Sequence, residues 1–292
     1  MTFDFSSLSD TMESGGLRVR ILRQGAEVFS LEKDGVGFLH RDGDCSAPPS
    51  GWANHATVMG YFLHRLWHEE SLYRGQRIRG GNHGFLRHFV FDPPEPLSDG
   101  LRYRVPSDRI PPEAYPLRVS LELRYRIISG ALRVEFCFAN EEPALDAHVS
   151  FGLHPGFAVS SLDNARILLP EGRYVRHFAP GNFLDGRTEV CDFAGGGFPY
   201  PIGELPGSFL VGIDGVPDRR IVLQDSGRAL ELDFSEVPYV TFWSDADSFV
   251  CIEPCWGLPD SNPPVPFEQK AGIQTIPAGS RLCRGFSIRP KP

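Results

Sequence analysis

The chain has 292 residues, and this length suits one large β domain as well as two small ones; we expect a single domain over residues 1–292. The abundance of glycine (31), proline (26) and phenylalanine (22), with only 3 methionines, favours an all-β protein with many turns. The formal net charge of −8 argues against a nucleic-acid-binding protein, and no apolar run is long enough to cross a bilayer. We therefore expect neither nucleic acid nor a membrane as a partner.

Strand patterns dominate the chain. Apolar and polar residues alternate over most of residues 17–22, 117–127, 131–138, 228–234 and 284–289. Such alternation is typical of antiparallel strands with one buried face, and Ser129-Gly130 between the second and third runs predicts a hairpin. Only residues 59–70 show a weak helical pattern, and Gly60 lies inside it. The sequence therefore predicts an all-β fold, a large antiparallel β-sandwich.

Six cysteines are present, and no two have the CxxC spacing of a metal or redox motif. Cys137 and Cys251 lie in strand-like runs, so we expect free, buried cysteines that act as small hydrophobic side chains. The first residues lack the basic and apolar regions of a secretory signal, so we expect no signal peptide. Together these features predict a reducing, cytoplasmic location.

Two histidines lie in unusual surroundings. His83 lies between glycines, whose flexible backbone can bring a histidine close to a ligand; the alternative is an exposed histidine in a turn. His154 ends the apolar run 149–153, and Pro155 is expected to end the central strand there. A histidine at such a strand end can act as a general acid, although a core histidine bonded to a backbone carbonyl fits equally well.

Glu253 follows the apolar run 249–252 and precedes Pro254. A carboxylate in such a strand is costly unless it is paired or used, and burial would raise its pKa toward neutrality, as suits a general base. Trp256, three residues further on, could give a sugar a stacking surface. The alternative is a glutamate on the polar face of an edge strand.

Other motifs are weaker. His64 and His68 have the i,i+4 spacing of two metal ligands on a helix, but no HExxH motif accompanies them. No P-loop, GxSxG nucleophile motif or dinucleotide-binding glycine motif is present. The basic stretch from Arg74 to Arg87 is interleaved with glycine and is expected to form a solvated strand and turn. We therefore expect no metal and no cofactor.

The order of these segments resembles the aldose 1-epimerase (galactose mutarotase-like) superfamily. The matching segments are residues 60–66, Asn82-His83-Gly84-Phe85, His154-Pro155-Gly156-Phe157, Cys251-Ile252-Glu253-Pro254 and a closing hairpin within residues 268–279. The resemblance spans roughly residues 15–290, and it implies the large antiparallel sandwich that is called a supersandwich.

The resemblance also implies roles for individual residues. Glu253 matches the general base and His154 the general acid. The positions that bind the sugar are matched by His83, Asn82, Arg65 and Asp214. Arg87 has the same parity as His83 and is the arginine expected to reach the pocket. Gly156 and Cys255 depart from the family's pattern and are expected to change the shape of the pocket.

The implied activity is that of an isomerase, which opens the ring of a cyclic aldose by acid–base catalysis and closes it on the other face. The alternatives are a hexose-6-phosphate 1-epimerase, a carbohydrate-binding protein without turnover, and a glycoside hydrolase or lyase with two carboxylates. A small sugar is the expected partner. We prefer a neutral aldose to a sugar phosphate, because Arg77 and Arg79 share one face and are expected to point to solvent.

Overall fold

The computed structural model describes residues 8–46, 48, 51–198 and 207–291 of the chain. Within these residues the strands are β1 (Ser9–Ser14), β2 (Leu17–Leu22), β3 (Val28–Lys33), β4 (Val36–Gly37), β5 (Ala56–Met59), β6 (Glu70–Tyr73), β7 (Gln76–Arg79), β8 (Glu95–Leu97), β9 (Gly100–Val105), β10 (Val119–Ile128), β11 (Ala131–Asn140), β12 (Ala147–Val149), β13 (Phe151–Ala158), β14 (Arg166–Leu169), β15 (Gly172–His177), β16 (Thr188–Phe193), β17 (Gly196–Gly197), β18 (Phe209–Gly215), β19 (Arg220–Asp225), β20 (Arg228–Asp233), β21 (Tyr239–Trp243), β22 (Phe249–Trp256), β23 (Gln274–Ile276) and β24 (Arg281–Lys291). Short 3-10 turns lie at Trp67–Glu69, Leu86–His88, Ser107–Arg109, Pro180–Asn182 and Phe267–Gln269. No helix in this part of the chain is long and apolar enough to span a membrane.

Two large sheets form the body of the protein. The first, here called the site sheet, has the strand order β16-β15-β18-β21-β22-β13-β5. The second, the back sheet, has the order β17-β14-β19-β20-β24-β11-β10-β9-β8. Smaller sheets are formed by β1-β2-β3-β4, by β12-β23 and by β6-β7. The fold is all-β and antiparallel, which confirms the predicted β-sandwich, whereas the single domain stays a prediction.

The core lies between the two large sheets, and aromatic side chains from both meet there. Trp256 of the site sheet stacks on Phe151 with ring centroids 5.0 Å apart and lies 6.1 Å from Phe136 of the back sheet. All three side chains are at most 1% exposed. Burial of a large apolar side chain stabilises a fold by about 1.5–3 kcal/mol, so contacts of this kind hold the sheets together.

The alternating runs of the sequence all fall in strands. The predicted hairpin is present, because β10 pairs with β11 in register from Val119↔Asn140 to Ile128↔Ala131. Two expectations were wrong. Residues 59–70 form no α-helix, since their one helical element is the 3-10 turn Trp67–Glu69, in which His68 has a φ of 52°. The segment 268–279 is no hairpin either, because its strand β23 pairs with the distant β12.

A disulfide joins Cys137 on β11 to Cys283 on β24. This corrects the expectation that Cys137 is free. The two residues are direct partners in the strand register, and their Cα atoms are 4.1 Å apart, which places both side chains on one face of the sheet. The pairing depends on which strands are neighbours, and CxxC spacing gives no information about that. Cysteine usage therefore no longer supports a reducing compartment, and the cytoplasmic location stays a prediction.

Candidate active site

A row of side chains crosses one face of the site sheet. Register pairs link Thr57 of β5 to His154 of β13, and Thr241 of β21 to Glu253 of β22. The pairs that flank the β13–β22 ladder, Gly152↔Cys255 and Gly156↔Cys251, place His154 opposite Glu253 in the same register. Opposite residues of antiparallel strands point to the same face, so the sheet brings a carboxyl group and an imidazole together.

The ladder between β13 and β22 is open at this place, with paired residues before and after but none from 153 to 155. Pro155 lies in this gap on β13, and Pro254 lies opposite it on β22. Proline has no N–H group to donate to a ladder. Pro155 does not end its strand, contrary to expectation, because β13 continues to Ala158 and Pro155 pairs with Ala56 of the edge strand β5. His154 therefore lies inside a strand, which fixes it more firmly than a strand end would.

The two groups are close and buried. Nε2 of His154 lies 3.4 Å from Oε1 of Glu253, and the residues are 8% and 2% exposed. Oε2 of Glu253 is also buried and has no hydrogen-bond partner among the described residues. A buried carboxyl oxygen without a partner is costly, and such groups are found where a ligand or a reaction uses them.

Burial shifts both pKa values toward the neutral forms. Loss of hydration raises the pKa of Glu253 well above its ordinary value. The same cause, together with smaller electrostatic effects of His64 and Arg87, lowers the pKa of His154 to about 3. Burial therefore favours a protonated carboxyl beside a neutral imidazole over the ionised pair.

Two more histidines form a wall beside this pair. The His83 ring is perpendicular to that of His154, with centroids 5.2 Å apart. The backbone N–H of His64 donates to Nδ1 of His83 at 3.2 Å, and the His83 N–H donates to the His64 carbonyl at 2.7 Å. Burial lowers the pKa of His83 well below its ordinary value, so the ring is neutral and its remaining proton is on Nε2.

The position of His83 depends on the glycine that follows it. Gly84 has a φ of 75°, and a Cβ atom there would lie 2.2 Å from the carbonyl oxygen of Gly60. A side chain at this position would both strain the backbone and push the loop away from the sheet. The glycine-rich segment thus positions a buried histidine, rather than forming a turn with an exposed one.

Trp52 covers the pair from another side. Its ring stacks on the His154 imidazole with centroids 4.9 Å apart. Gly156 makes this contact available, because a Cβ atom there would lie 2.5 Å from Cζ3 of the indole. The tryptophan thus occupies the space that a side chain at position 156 would fill, so the departure at Gly156 does change the shape of the site.

These side chains line a cavity of about 410 Å³, here called the carboxylate cavity. Its lining residues are Gly51, Trp52, Ala53, His64, Arg65, Asn82, His83, His154, Asn182, Ser208, Trp243, Asp245 and Glu253. The volume and the few converging polar groups are typical of a site for a small molecule. The structure therefore brings together Glu253, His154 and three further predicted site residues, namely His83, Arg65 and Asn82.

Three other predicted site residues lie outside this lining. Arg87 lies behind it, and its guanidinium donates at 3.1 Å to the amide oxygen of Asn54, which also accepts the Nε1–H of Trp52 at 3.1 Å. Trp256 is 1% exposed in the core, because its even position puts it on the opposite face of β22 from Glu253. This corrects its placement as a surface for stacking a sugar.

The placement of Asp214 is also corrected. Its carboxylate is 72% exposed and pairs with Arg219 at 3.2 Å. Leu210 of β18 pairs with Thr241 and so lies level with the row of site residues. Asp214 is four residues further along β18, a distance of about 13 Å from that row. A different carboxylate, that of Asp245, lines the cavity.

Several cavity residues were not predicted. Trp243 has the parity of Thr241 on β21, so alternation along that strand could have revealed it, whereas Asp245 lies two residues beyond the end of β21. Trp52 and Asn182 lie outside the regular strands, where no periodicity indicates which side chains reach a site. His64 was considered only as a metal ligand.

The structure does not bring His64 and His68 to one metal site. His64 lines the carboxylate cavity, whereas His68 lines a neighbouring one. Both have a positive φ, 55° and 52°, so the helical i,i+4 geometry that suggested a site is absent. Over the described ranges, no three His, Cys, Asp or Glu side chains form a group that could hold a metal ion.

Comparison with known proteins identifies the relatives of this chain. The model of the aldose 1-epimerase family matches residues 10–282. The protein LacX of Lactococcus lactis subsp. lactis is 23% identical over 275 residues, which cover 84% of this chain and 86% of LacX.

Solved structures share the fold. A galactose mutarotase related enzyme from Lactobacillus acidophilus superposes with a TM-score of 0.88 at 22% identity, covering 97% of both chains. A galactose 1-epimerase from the same organism gives a TM-score of 0.71 at 13% identity, covering 97% of this chain and 94% of the other.

Proposed function

Because this chain belongs to the aldose 1-epimerase family, we propose that it interconverts the α and β anomers of an aldose. The observation that carries this proposal is the buried pair of Glu253 and His154, 3.4 Å apart at the wall of a cavity large enough for a sugar. A binding protein has no need for such a pair, whose burial is costly.

The reaction requires two proton transfers at one ring. A cyclic aldose is a hemiacetal, so its ring opens when the hydroxyl at C1 loses a proton and the ring oxygen gains one. Glu253 takes the C1 hydroxyl proton while His154 protonates the ring oxygen, and the bond between C1 and the ring oxygen breaks. Rotation about the C1–C2 bond presents the other face of the aldehyde, and the same transfers in reverse close the ring.

Burial of the pair favours the product side of ring opening. Ring opening converts an ionised pair, a carboxylate and an imidazolium, into a protonated carboxyl and a neutral imidazole. The pKa shifts of both residues favour the second form, and the charged form needs support from the sugar's hydroxyl groups. One proton thus moves from His154 to Glu253 through the substrate and returns on ring closure. The sequence of steps needs no metal and no redox cofactor.

The walls of the cavity supply contacts for the remaining hydroxyl groups. The Nε2–H of His83 is a donor, and Arg65, Asn82 and Asp245 are further polar residues of the lining. Trp52 and Trp243 offer aromatic surface, on which the C–H groups of a sugar ring can pack. These residues are proposed to hold the sugar and not to exchange protons with it.

We prefer a free aldose as the substrate. A phosphate group is usually bound by two or more converging cationic side chains. Arg65 alone among the arginines and lysines lines the described cavity, and Arg87 lies behind the Asn54 amide. Arg77 and Arg79 are exposed and pair with Glu70, as expected from the buried Ile78 between them.

The proposal is tested by measuring anomer exchange with NMR or polarimetry on glucose, galactose and glucose 6-phosphate. Wild-type protein should accelerate exchange of at least one free aldose, and Glu253→Gln should lose most of that rate, by about 10²–10⁴-fold. Glu171→Gln, which changes an exposed glutamate, is the matched control and should keep the rate. Wild-type protein that binds sugars without accelerating their anomer exchange would contradict the proposal. A strong preference for glucose 6-phosphate would show that the substrate is a sugar phosphate and not a free aldose.

A further inference from the structure

The carboxylate cavity is the first of three neighbouring cavities. It shares Arg65 and Asn82 with a second cavity of about 390 Å³, here called the tryptophan cavity. The tryptophan cavity in turn shares Trp67 and His68 with a third of about 310 Å³, the outer cavity. Cavities that share lining residues are adjacent, so the three lie side by side in an order that starts at Glu253.

We propose that the natural substrate is a reducing oligosaccharide, which places its reducing-end ring in the carboxylate cavity and its next sugar unit in the tryptophan cavity. This inference rests on the proposed function and names its substrate class. A single sugar ring fills only the first of these adjacent cavities, and the second, of about 390 Å³, has room for another ring.

The lining of the tryptophan cavity suits a sugar ring. Trp67 and Phe183 meet edge to face with centroids 4.7 Å apart, and both line the cavity. The backbone N–H of Trp67 donates at 3.0 Å to Oδ2 of Asp260, which is fully buried. An aromatic surface held in this way can pack against the C–H face of a pyranose, while polar neighbours bind its hydroxyl groups.

The charges in this cavity favour a neutral sugar over a phosphate. Arg65 lies at its boundary, but Glu69 also lines it and would repel a dianion. In the outer cavity, Arg77 is already paired with Glu70 at 3.0 Å. A second sugar unit therefore fits the tryptophan cavity better than a phosphoryl group does.

Gly81 offers a way to fill the tryptophan cavity. It lines the cavity, a Cβ atom there would have no neighbour within 4 Å, and its backbone is not left-handed. Gly81→Phe should therefore fold and occupy the space of the second sugar. Gly197→Phe is the matched control, because a Cβ atom at Gly197 also has no neighbour within 4 Å, and Gly197 lies on β17 of the back sheet.

The experiment compares kcat/KM for anomer exchange of the disaccharides maltose, cellobiose and lactose with that of glucose, their common reducing-end sugar. We expect at least one disaccharide to exceed glucose by about 10-fold, which corresponds to about 1.4 kcal/mol. Gly81→Phe and Trp67→Ala should abolish this ratio, and Gly197→Phe should preserve it. A ratio of one or less for every disaccharide, or a ratio that survives Gly81→Phe, would overturn the inference.

A binding titration separates this inference from the proposed function. If no sugar undergoes accelerated exchange, the proposed function fails, and binding then decides the inference alone. Tighter binding of a disaccharide than of glucose, lost in Gly81→Phe and retained in Gly197→Phe, would support the two adjacent cavities as an oligosaccharide site. Equal binding of both sugars, or no binding of either, would contradict it.

Discussion

The candidate site has two parts that differ in how the chain positions them. Glu253 and His154 lie on neighbouring strands of the site sheet, where the register holds them opposite each other. Trp52, His64 and His83 lie outside the strands and reach the pair through close contacts at Gly156 and Gly84. The comparison shows that the chemistry is placed on the rigid sheet and the recognition surface on loops, as is common in enzymes.

The largest effect is expected at the strand-borne pair. His154→Asn removes the proposed acid and should lower kcat by about 10²–10⁴-fold, with a smaller change in KM. His148→Asn is the control, because His148 is a half-buried histidine on β12 that does not line the carboxylate cavity. Equal losses in both variants would show that the effect is structural.

A smaller effect is expected where the loops rest on the sheet. Gly156→Ala places a methyl group 2.5 Å from the Trp52 ring, so the ring must move away from His154. We expect KM to rise by roughly 10-fold, about 1.4 kcal/mol of binding, while kcat changes less. Kinetics of Gly156→Ala and of the distant Gly197→Ala check this, and a loss of kcat with unchanged KM would contradict the division between the two parts.

Stability should reveal the cost of burying the carboxyl group. The raised pKa of Glu253 means that, above its ordinary pKa, the unfolded chain releases a proton that the native protein keeps, so stability falls as pH rises. Glu253→Gln has no carboxyl group to titrate, so it does not lose stability in this way and should have a higher Tm than wild type. The difference in Tm should widen from about pH 5 to pH 8. A gap that is constant with pH would contradict the assignment.

The smallest expected effect is in the pH dependence of kcat/KM. Burial lowers the pKa of His154 to about 3 and raises the pKa of Glu253. Activity should therefore change little near about pH 6.5, where an ordinary histidine titrates. An inflection of kcat/KM near that pH would show that His154 titrates normally, provided that sugar binding by Glu253→Gln, measured over the same pH range, shows no inflection.

The two parts also differ in how much the sequence reveals. The alternating runs predicted the strands and the sandwich, and the order of short motifs identified the aldose 1-epimerase family, which the family match confirms. Apolar surroundings singled out Glu253. The predicted place of Trp256 was wrong although the sequence contains its parity: it lies three residues from Glu253 on β22 and so faces the opposite side.

Residues whose position depends on distant contacts could not be predicted. The resemblance matched Asp214 to a sugar-binding aspartate, but its place on β18 puts it far from the row of site residues. The position of the Trp52 ring depends on the lack of a side chain at Gly156. The disulfide between Cys137 and Cys283 depends on the pairing of β11 with β24. Such facts follow from tertiary contacts that no local pattern contains.

The central claim is that Glu253 and His154 work as one unit that passes a proton through the sugar. A double-mutant cycle tests it most directly, with kcat/KM for anomer exchange measured in Glu253→Gln, His154→Asn and the double variant. Residues that act as a unit are strongly non-additive, so the double variant should be about as slow as the slower single variant. Losses that multiply in the double variant would show that the two groups act independently and would contradict the account.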